Sequence, residues 1–177
     1  MKEVIMFGGG CFWCTEAVFS VLKGVISVTP GYAGSDTPNP TYKSVSTDKT
    51  GHAEVLKVKY DPEQISIREL STVFFASHDP TTLNRQGADV GTRYRSIILW
   101  TTPEQRERSK KYIGELKNQG IKVVTEVKEL GKFFPAEEYH QNYYRNHPDL
   151  PYSQVVITSK IEKVQKEFQK LLKNNLK

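Results

Sequence analysis

The sequence predicts an α/β or α+β protein in which helices pack on a sheet. Short apolar or alternating segments, typical of strands, take turns along the chain with amphipathic segments of helical period. The chain has 177 residues, of which 37% are hydrophobic and 25% charged, as in soluble globular domains. No internal repeat or low-complexity segment interrupts it. We therefore expect one domain over residues 1–177, large enough to bury a core without help from a disulfide or a metal.

The first half of the chain is predicted to contain three strands and two helices. The apolar run EVIMF, residues 3–7, predicts a buried strand that ends at three glycines. A helical pattern follows from about residue 11 to residue 23, and Gly24 stops it. Residues 30–51 are rich in Pro, Gly and Ser and predict a long loop of the kind that is usually functional. The remaining elements are strands at 25–29 and 52–60 and a helix from the capping box Ser66–Glu69 to about residue 78.

The second half begins with another long loop, residues 78–94. A strand is predicted at 95–101, followed by a helix that Thr102-Pro103 opens, with Gln105 at its third position, and that Gly120 ends. Next come a predicted strand at 121–127, an aromatic cluster at 133–148 and a tail helix at 159–177 that Ser159 and Glu162 cap.

The net charge of +5 is concentrated in the tail helix. Residues 159–177 carry six lysines and two glutamates, a net +4, which leaves about +1 for the rest of the chain. One face of this helix is apolar, so we expect it to dock on the protein with its lysines in water; the apolar residues are Ile161, Val164, Phe168, Leu171 and Leu172. This pattern disfavours a nucleic-acid binding module. With no signal peptide or membrane-spanning run, we expect a cytoplasmic monomer without nucleic-acid or membrane partners.

Both cysteines of the chain, Cys11 and Cys14, lie in GGGCFWCTE at the start of the first predicted helix. Free N–H groups and the dipole at a helix start lower the pKa of a thiol, so Cys11 is predicted to be a reactive thiolate. Cys14 lies one turn later on the same face, within reach of a disulfide. Two other interpretations stay open: a pair of buried core cysteines, or half of a zinc site with His140 and His147, whose spacing is longer than zinc motifs use.

The strand HAEVLKVKY supplies a candidate acid. Glu54 shares the parity of its apolar positions, so its carboxyl is predicted to be partly desolvated, which raises the pKa and allows proton donation near neutral pH. The alternative is a glutamate at the exposed end of the strand, paired with a lysine. Tyr32 in the loop GYAGS, Tyr94 at a loop-to-strand junction and Asp89 in GADVG are weaker candidates, and loop packing explains each of them alone better than catalysis does.

Five segments of the sequence together resemble one family. They are GCFWCTE, GYAGS, GHAEVLKVKYDP, HDPTTLNRQGADVGTRYRS and AEEYHQNYY, they occur in that family's order, and they cover about residues 4–150. Singly each is weak; jointly they are highly specific. The chain is similar to peptide methionine sulfoxide reductase of the A type, which acts on the S epimer of the sulfoxide. The resemblance implies a two-layer α+β sandwich with a ferredoxin-like plait core, a mixed sheet and a C-terminal helical extension.

The resemblance also implies a role for each candidate residue. Cys11 as thiolate attacks the sulfoxide sulfur in oxidised proteins, peptides or free methionine sulfoxide; methionine leaves, and Cys11 is oxidised to a sulfenic acid. Glu54 protonates the sulfoxide oxygen. The other implied site residues are the hydrogen-bond donors Tyr32 and Tyr94, the methyl-pocket walls Phe12 and Trp13, and Asp89, His140 and Tyr143, which shape or line the site. No metal or bound cofactor is implied, and the reductant is thioredoxin, or dithiothreitol in vitro.

Position 14 departs from the commoner family motif, GCFWG. Cys14 stands in place of the glycine, and no cysteine follows it in residues 15–177. We therefore expect Cys14 to attack the Cys11 sulfenic acid and form a disulfide that thioredoxin reduces. Direct reduction of the sulfenic acid by an external thiol stays open. The enzymatic alternative is a thioredoxin-like C-x-x-C dithiol oxidoreductase, which would not need Glu54, Tyr32 and Tyr94 near Cys11.

Overall fold

The computed structural model describes residues 1–174, which form a six-stranded mixed sheet with helices packed on it. In chain order the strands are β1 (Glu3–Gly8), β2 (Val25–Ala33), β3 (Ala53–Tyr60), β4 (Arg85–Gln86), β5 (Asp89–Val90), β6 (Ile97–Trp100), β7 (Glu126–Glu129) and β8 (Phe133–Pro135). The α-helices are α1 (Phe12–Ser20), α2 (Tyr42–Val45), α3 (Ile67–Ser77), α4 (Pro103–Asn118), α5 (Tyr143–Asn146) and α6 (Thr158–Glu167). Strands β4 and β5 form a separate two-stranded ribbon.

The order of strands in the main sheet is β7-β6-β1-β3-β2-β8. Neighbouring strands are antiparallel except for β6 and β7, which are parallel. The α+β class with a mixed sheet is therefore confirmed. The register pairs Phe7 of β1 with Leu56 of β3. Because the two strands are antiparallel, the residues that follow Phe7 run beside those that precede Leu56, and the glycine turn after β1 comes close to Glu54. Helix α1 starts from this turn.

The main core lies between the sheet and its helices. Along β3 the alternate residues Leu56, Val58 and Tyr60 face this core, where they meet apolar side chains of α1 and α3. Val55 faces the opposite way, into a smaller cluster on the other side of the sheet. Because side chains alternate along a strand, Glu54 lies on the helix-covered face. The parity predicted from the sequence is thus the parity of the folded strand.

The starts of two predicted helices are confirmed by their caps. The Ser66 hydroxyl accepts the N–H of Glu69 at 3.2 Å, and the Glu69 carboxylate accepts the N–H of Ser66 at 2.8 Å. The Thr102 hydroxyl accepts the N–H of Gln105 at 3.3 Å in front of α4. Side-chain oxygens satisfy N–H groups that a helix leaves unpaired in its first turn, so these local signals are reliable.

Three predictions about strands are corrected because distant partners decide strand limits. Residues 30–33 were predicted to be loop, but they extend β2, since they pair with β3 and with β8. Strand β8 lies in the aromatic cluster, where no strand was predicted. The strand predicted at 121–127 is wrong: the residues that pair with β6 are Glu126–Glu129. Local sequence identifies an apolar segment but not the neighbour that pairs with it.

The C-terminal segment docks on the body of the protein, as predicted, through a helix with different limits. A π-helical turn, Ser153–Ile157, leads directly into α6, so the predicted cap at Ser159 is wrong. The Ser159 hydroxyl instead donates to the carbonyl of Val156. Ile161 and Val164 of α6 are buried, Ile161 beside α1 and Val164 in the main core.

The chain after α6 runs back along the end of α1. Leu172 forms a β-bridge with Leu22, which helps explain why α1 ends at Ser20 and not near residue 23. Residues 175–177 of the predicted tail helix lie outside the described residues. Within residues 1–174, no helix has the length and apolar character that crossing a bilayer requires.

Candidate active site

Cys11 lies at the turn between β1 and α1, where it is the N-cap residue of the helix. Its backbone is extended, with φ −62° and ψ 127°, and its side chain caps no helix N–H. Gly10 before it has φ +94°, a left-handed conformation that glycine adopts without strain. The turn therefore leaves the half-buried thiol free to point into a cleft rather than along the helix.

Glu54 of β3 lies directly beside this helix start. Its side chain is only 2% exposed, and its Oε2 accepts the backbone N–H of Phe12 at 3.1 Å. Burial raises the pKa of this carboxyl to about 8, against the smaller lowering effect of the Phe12 N–H. Glu54 consequently holds a proton at neutral pH. The desolvation predicted from its position on the strand is confirmed.

A cleft of about 190 Å³ opens onto Cys11 and Glu54. Six residues named from the sequence line it: Cys11, Phe12, Trp13, Glu54, Asp89 and Tyr94. Two more lining residues, Tyr42 of α2 and Tyr152 in front of the π-helical turn, were missed. Neither belongs to a segment with a recognisable motif, so only the folded chain identifies them. The cleft thus combines a thiol, a protonated carboxyl and aromatic walls.

The predicted low pKa of Cys11 is wrong. Burial, followed by the nearby Glu54, raises the pKa of this thiol well above its usual value, while the N–H of Trp13 lowers it by less. Desolvation of the charged form therefore outweighs the hydrogen bond that the helix start offers the thiol. In the resting site both Cys11 and Glu54 hold protons at neutral pH.

Cys14 points away from this cleft into a more closed environment. Its side chain is 3% exposed and packs against α6, and its sulfur lies 3.6 Å from the hydroxyl of Tyr152. The Tyr152 hydroxyl also donates to Oδ2 of Asp89 at 3.3 Å. The pKa of Tyr152 is raised by burial and then by both thiols, Cys11 and Cys14. Tyr152 therefore stands next to both sulfurs. Both cysteines are free thiols in this structure.

Trp13 is fixed from behind by the two predicted aromatic-cluster residues. The ring of Tyr143 stacks on it with centroids 3.6 Å apart and planes 3° from parallel. The indole N–H donates to Nδ1 of His140 at 3.0 Å, and that imidazole is 1% exposed. Burial lowers the pKa of His140, which keeps the ring neutral and able to accept this bond. His140 and Tyr143 support the wall of the cleft and are not among its lining residues.

Glu16 positions this aromatic segment and was missed by sequence reasoning. Its two carboxylate oxygens accept the backbone N–H groups of Asn142 and Tyr143, at 2.8 and 3.2 Å. The carboxylate thereby satisfies N–H groups at the start of α5 and ties α5 to α1. Its place in the motif CTE, one helical turn from Trp13, is the sequence signal that could have identified it.

Tyr32 lies in β2 opposite Glu54, not in a loop as predicted. Its ring is fully buried beside Phe12, and its hydroxyl donates to Oε1 of Glu137 at 3.0 Å. Glu137 also accepts the N–H of Tyr42 at 3.1 Å. Tyr32 is therefore linked through Glu137 to the Tyr42 wall of the cleft, and it is not among the lining residues.

The zinc interpretation finds no set of ligands in the described residues. No group of three or more His, Cys, Asp or Glu side chains in residues 1–174 is arranged to hold a metal ion. His140, one of the proposed ligands, uses Nδ1 to accept the Trp13 indole N–H.

Comparisons with known proteins agree with this geometry. The family model for peptide methionine sulfoxide reductase matches residues 3–172. The chain is 54% identical over 167 residues to a peptide methionine sulfoxide reductase MsrA of Saccharolobus solfataricus, covering 94% of each chain. It is also similar to reduced Mxr1 from Saccharomyces cerevisiae, with a TM-score of 0.77, 35% identity and coverage of 84% of this chain and 87% of that chain. A structure of Mxr1 in complex with Trx2 matches with a TM-score of 0.57, 27% identity and coverage of 80% and 84%. The chain belongs to the peptide methionine sulfoxide reductase family.

Proposed function

We propose that this chain reduces methionine-S-sulfoxide, free or in oxidised proteins and peptides, with Cys11 as nucleophile and Glu54 as acid. The observation that carries the proposal is the cleft in which the Cys11 thiol faces a carboxyl with a pKa raised to about 8. A sulfoxide is a poor electrophile until its oxygen accepts a proton or a strong hydrogen bond. Family membership supports the same reaction and disfavours the thioredoxin-like dithiol oxidoreductase.

The reaction needs one proton on the Cys11 and Glu54 pair. The Cys11 thiolate attacks the sulfoxide sulfur as Glu54 gives its proton to the oxygen. The sulfur–oxygen bond then breaks, the hydroxyl passes to Cys11, and methionine leaves. Cys11 is oxidised to a sulfenic acid while the sulfoxide is reduced, and Glu54 ends as a carboxylate.

The walls of the cleft suit the methyl group and the oxygen of the substrate. Phe12 and Trp13 offer an apolar surface, and Trp13 is held rigid by its stack on Tyr143. The hydroxyls of Tyr94 and Tyr42 are donors available in the cleft. Burial raises the pKa of Tyr94 to about 12, so this hydroxyl keeps its proton. Tyr32 donates to the sulfoxide oxygen only after exchanging its bond to Glu137.

Cys14 resolves the sulfenic acid as the second step. Its thiolate attacks the sulfur of Cys11, the sulfur–sulfur bond forms, and hydroxide leaves and takes a proton to become water. Support comes from the N-cap and third-residue positions of the two cysteines in one helix turn and from Tyr152 beside both sulfurs. Thioredoxin then reduces the disulfide, as the complex of the similar Mxr1 with Trx2 suggests.

The proposal also covers the architecture, the domain organisation and the location of the whole chain. The sheet order β6-β1-β3-β2 with helices on one face supports a ferredoxin-like plait as the core. Contacts of α6 with α1 and α3 support one domain that includes the C-terminal extension. We further propose a cytoplasmic monomer that needs no metal or bound cofactor and has no nucleic-acid partner.

The test is turnover of dabsylated methionine-S-sulfoxide, first with dithiothreitol and then with thioredoxin. Cys11→Ser should abolish methionine formation with both reductants, and retained activity would refute the proposal. Cys14→Ser should keep the single turnover and lose turnover supported by thioredoxin. If Cys14→Ser keeps full thioredoxin-supported turnover, an external thiol reduces the sulfenic acid directly. Fast reduction of insulin disulfides would favour the dithiol oxidoreductase.

A further inference from the structure

A second cavity lies beside Tyr152 and opens onto Cys14. Its volume is about 210 Å³, and its walls come from the β4–β5 ribbon and from the C-terminal helical segment. Cys11, Asp89 and Tyr152 line both this cavity and the sulfoxide cleft. Of the two, only the second has Cys14 in its wall. Of these two cavities, the second therefore gives access to Cys14, whereas Cys11 is reached from both.

Lys160 of α6 supplies positive charge at this second opening. It lines the cavity together with Cys14, and it also lines the narrow crevice behind that residue. No carboxylate of residues 1–174 lies within ion-pair distance of its ammonium group. Its long side chain is half-buried, so its charge is screened less than that of a lysine in open water.

Other titratable groups also face Cys14, and none of them is a cation at neutral pH. They are Cys11, Glu54, Asp89, Tyr152 and His78, whose pKa burial lowers to about 4. Burial raises the pKa of the Cys14 thiol, and Lys160 opposes this effect. Lys160 is thus the cation that favours a thiolate at this position, and the hydrogen bond from the Tyr152 hydroxyl acts in the same direction.

Access also differs between the two openings. The first cleft has Phe12, Trp13 and Tyr42 in its walls beside Cys11. The rim of the second cavity carries the exposed Ala88 at the tip of the ribbon. Val90 and Val155, which are 65% and 73% exposed, are next in sequence to residues that line it. These two side chains expose apolar surface on the segments that form the cavity walls.

We propose that a dithiol protein reduces the oxidised enzyme through this second cavity by attacking the sulfur of Cys14, and that Lys160 stabilises the Cys14 thiolate. This inference rests on the proposed function, because it starts from the Cys11–Cys14 disulfide. Sulfoxide and reductant then use separate openings. Tyr152 and Asp89 are the wall between them.

The electrons and protons of this step balance. A thiolate of the dithiol attacks Cys14, the intramolecular sulfur–sulfur bond breaks, and Cys11 leaves as a thiolate beside Glu54. The second thiol of the partner loses its proton and attacks the partner's own sulfur in the mixed disulfide. Cys14 leaves as a thiolate beside Lys160, and the partner departs oxidised to its disulfide.

The charge of Lys160 is tested on Cys14 alone, in a Cys11→Ser background. The readout is the pH midpoint of Cys14 alkylation by iodoacetamide. Lys160→Met should raise this midpoint by about one pH unit, whereas Lys160→Arg should restore it. The matched control is Lys163→Met, at an exposed position one turn further along the same helix. This substitution should leave the alkylation midpoint unchanged. An unchanged midpoint in Lys160→Met would overturn the role of the lysine. This readout needs no sulfoxide chemistry, so it is independent of the proposed function.

The opening is tested in the otherwise unchanged enzyme with Ala88→Trp, which adds bulk at the rim. The measured quantity is the ratio of thioredoxin-supported turnover to the single-turnover rate of sulfoxide reduction. Ala88→Trp should lower this ratio about tenfold, because a small displacement of the attacking thiol is costly. Leu83→Trp, an exposed position outside the cavity, should leave the ratio at the wild-type value. An equal ratio in Ala88→Trp and wild type would overturn the proposal, whereas a failed single turnover in wild type would overturn the proposed function instead.

Discussion

Cys11 and Cys14 lie in the same helix turn, yet the rest of the chain surrounds them in opposite ways. Cys11 is half-buried and faces the protonated carboxyl of Glu54 in an open cleft. Cys14 is buried against α6 and has the ammonium of Lys160 in its cavity. The shared helix start therefore does not explain the different surroundings of the two thiols. The groups that β3 and α6 bring to each sulfur account for the difference.

Removing the acidic side chain of Glu54 should have the largest effect on the rate of sulfoxide reduction. Glu54→Gln keeps an acceptor for the Phe12 N–H but has no proton to give, so the single-turnover rate should fall by about 10²- to 10⁴-fold. The measurement is methionine formed per enzyme in a rapid-quench experiment without reductant. Glu137→Gln, which changes a carboxylate outside the cleft lining, is the comparison variant and should lose far less. A wild-type rate in Glu54→Gln would remove Glu54 from the chemistry.

The same substitution should stabilise the protein at alkaline pH. The pKa of Glu54 is about 8 in the folded state and near its ordinary value when unfolded, so the folded state binds more protons between about pH 4.5 and 8. The wild-type free energy of unfolding should therefore fall as pH rises through this window. Glu54→Gln should escape that loss, for a difference of about 2–4 kcal/mol between pH 5 and pH 8.5. Urea titrations at both pH values measure it.

A matched control for this stability effect is Glu63→Gln, at an exposed position. Since that carboxyl stays in water, its substitution should leave the pH dependence of unfolding unchanged. If Glu54→Gln and wild type lose stability in parallel, the carboxyl of Glu54 is ionised in the folded protein.

The pH profile of the first turnover tests how many protons the Cys11 and Glu54 pair holds. Below about pH 8 the Cys11 and Glu54 pair holds two protons, and the reaction needs one. The single-turnover rate should rise about tenfold for each pH unit between 6 and 7.5 and level off near 8. In Glu54→Gln the limb near pH 8 should disappear. A flat profile in wild type would show that the pair already carries one proton at neutral pH.

Removing the hydroxyl between the sulfurs should have the smallest effect. Tyr152→Phe keeps the ring against Trp13 but loses the contacts to Cys14 and Asp89. One net hydrogen bond corresponds to about 1 kcal/mol, so formation of the Cys11–Cys14 disulfide should slow about fivefold. Tyr144→Phe, whose hydroxyl pairs with Thr158 instead, is the control. Loss of free thiols after one turnover, counted with a thiol reagent, is the measurement.

Local sequence signals predicted a large part of this protein. The capping residues Ser66 and Thr102 locate two helix starts, because a cap is made by neighbours within three residues. The alternation along β3 places Glu54 with the buried residues, because the strand period holds wherever one face is covered.

Features that depend on contacts between distant segments could not be predicted from the local sequence. Pairing with β8 converts the predicted loop around Tyr32 into strand, and its hydroxyl meets Glu137, a residue far along the chain. Tyr152 reaches the two sulfurs from the C-terminal segment, which has no motif that indicates a site. Long-range pairing and packing depend on the whole chain, so a window of a few residues does not contain them.

Residue types at short spacing were enough to predict the helix start that carries Cys11, the parity of Glu54 along its strand and the family. The protonation of the site, and the second cavity that Cys14 lines, depend on the whole fold. Burial raises the pKa of Cys11 and of Glu54, and the hydrogen bond that the helix start offers the thiol does not reverse this effect. Burial depends on every segment that packs around these two residues.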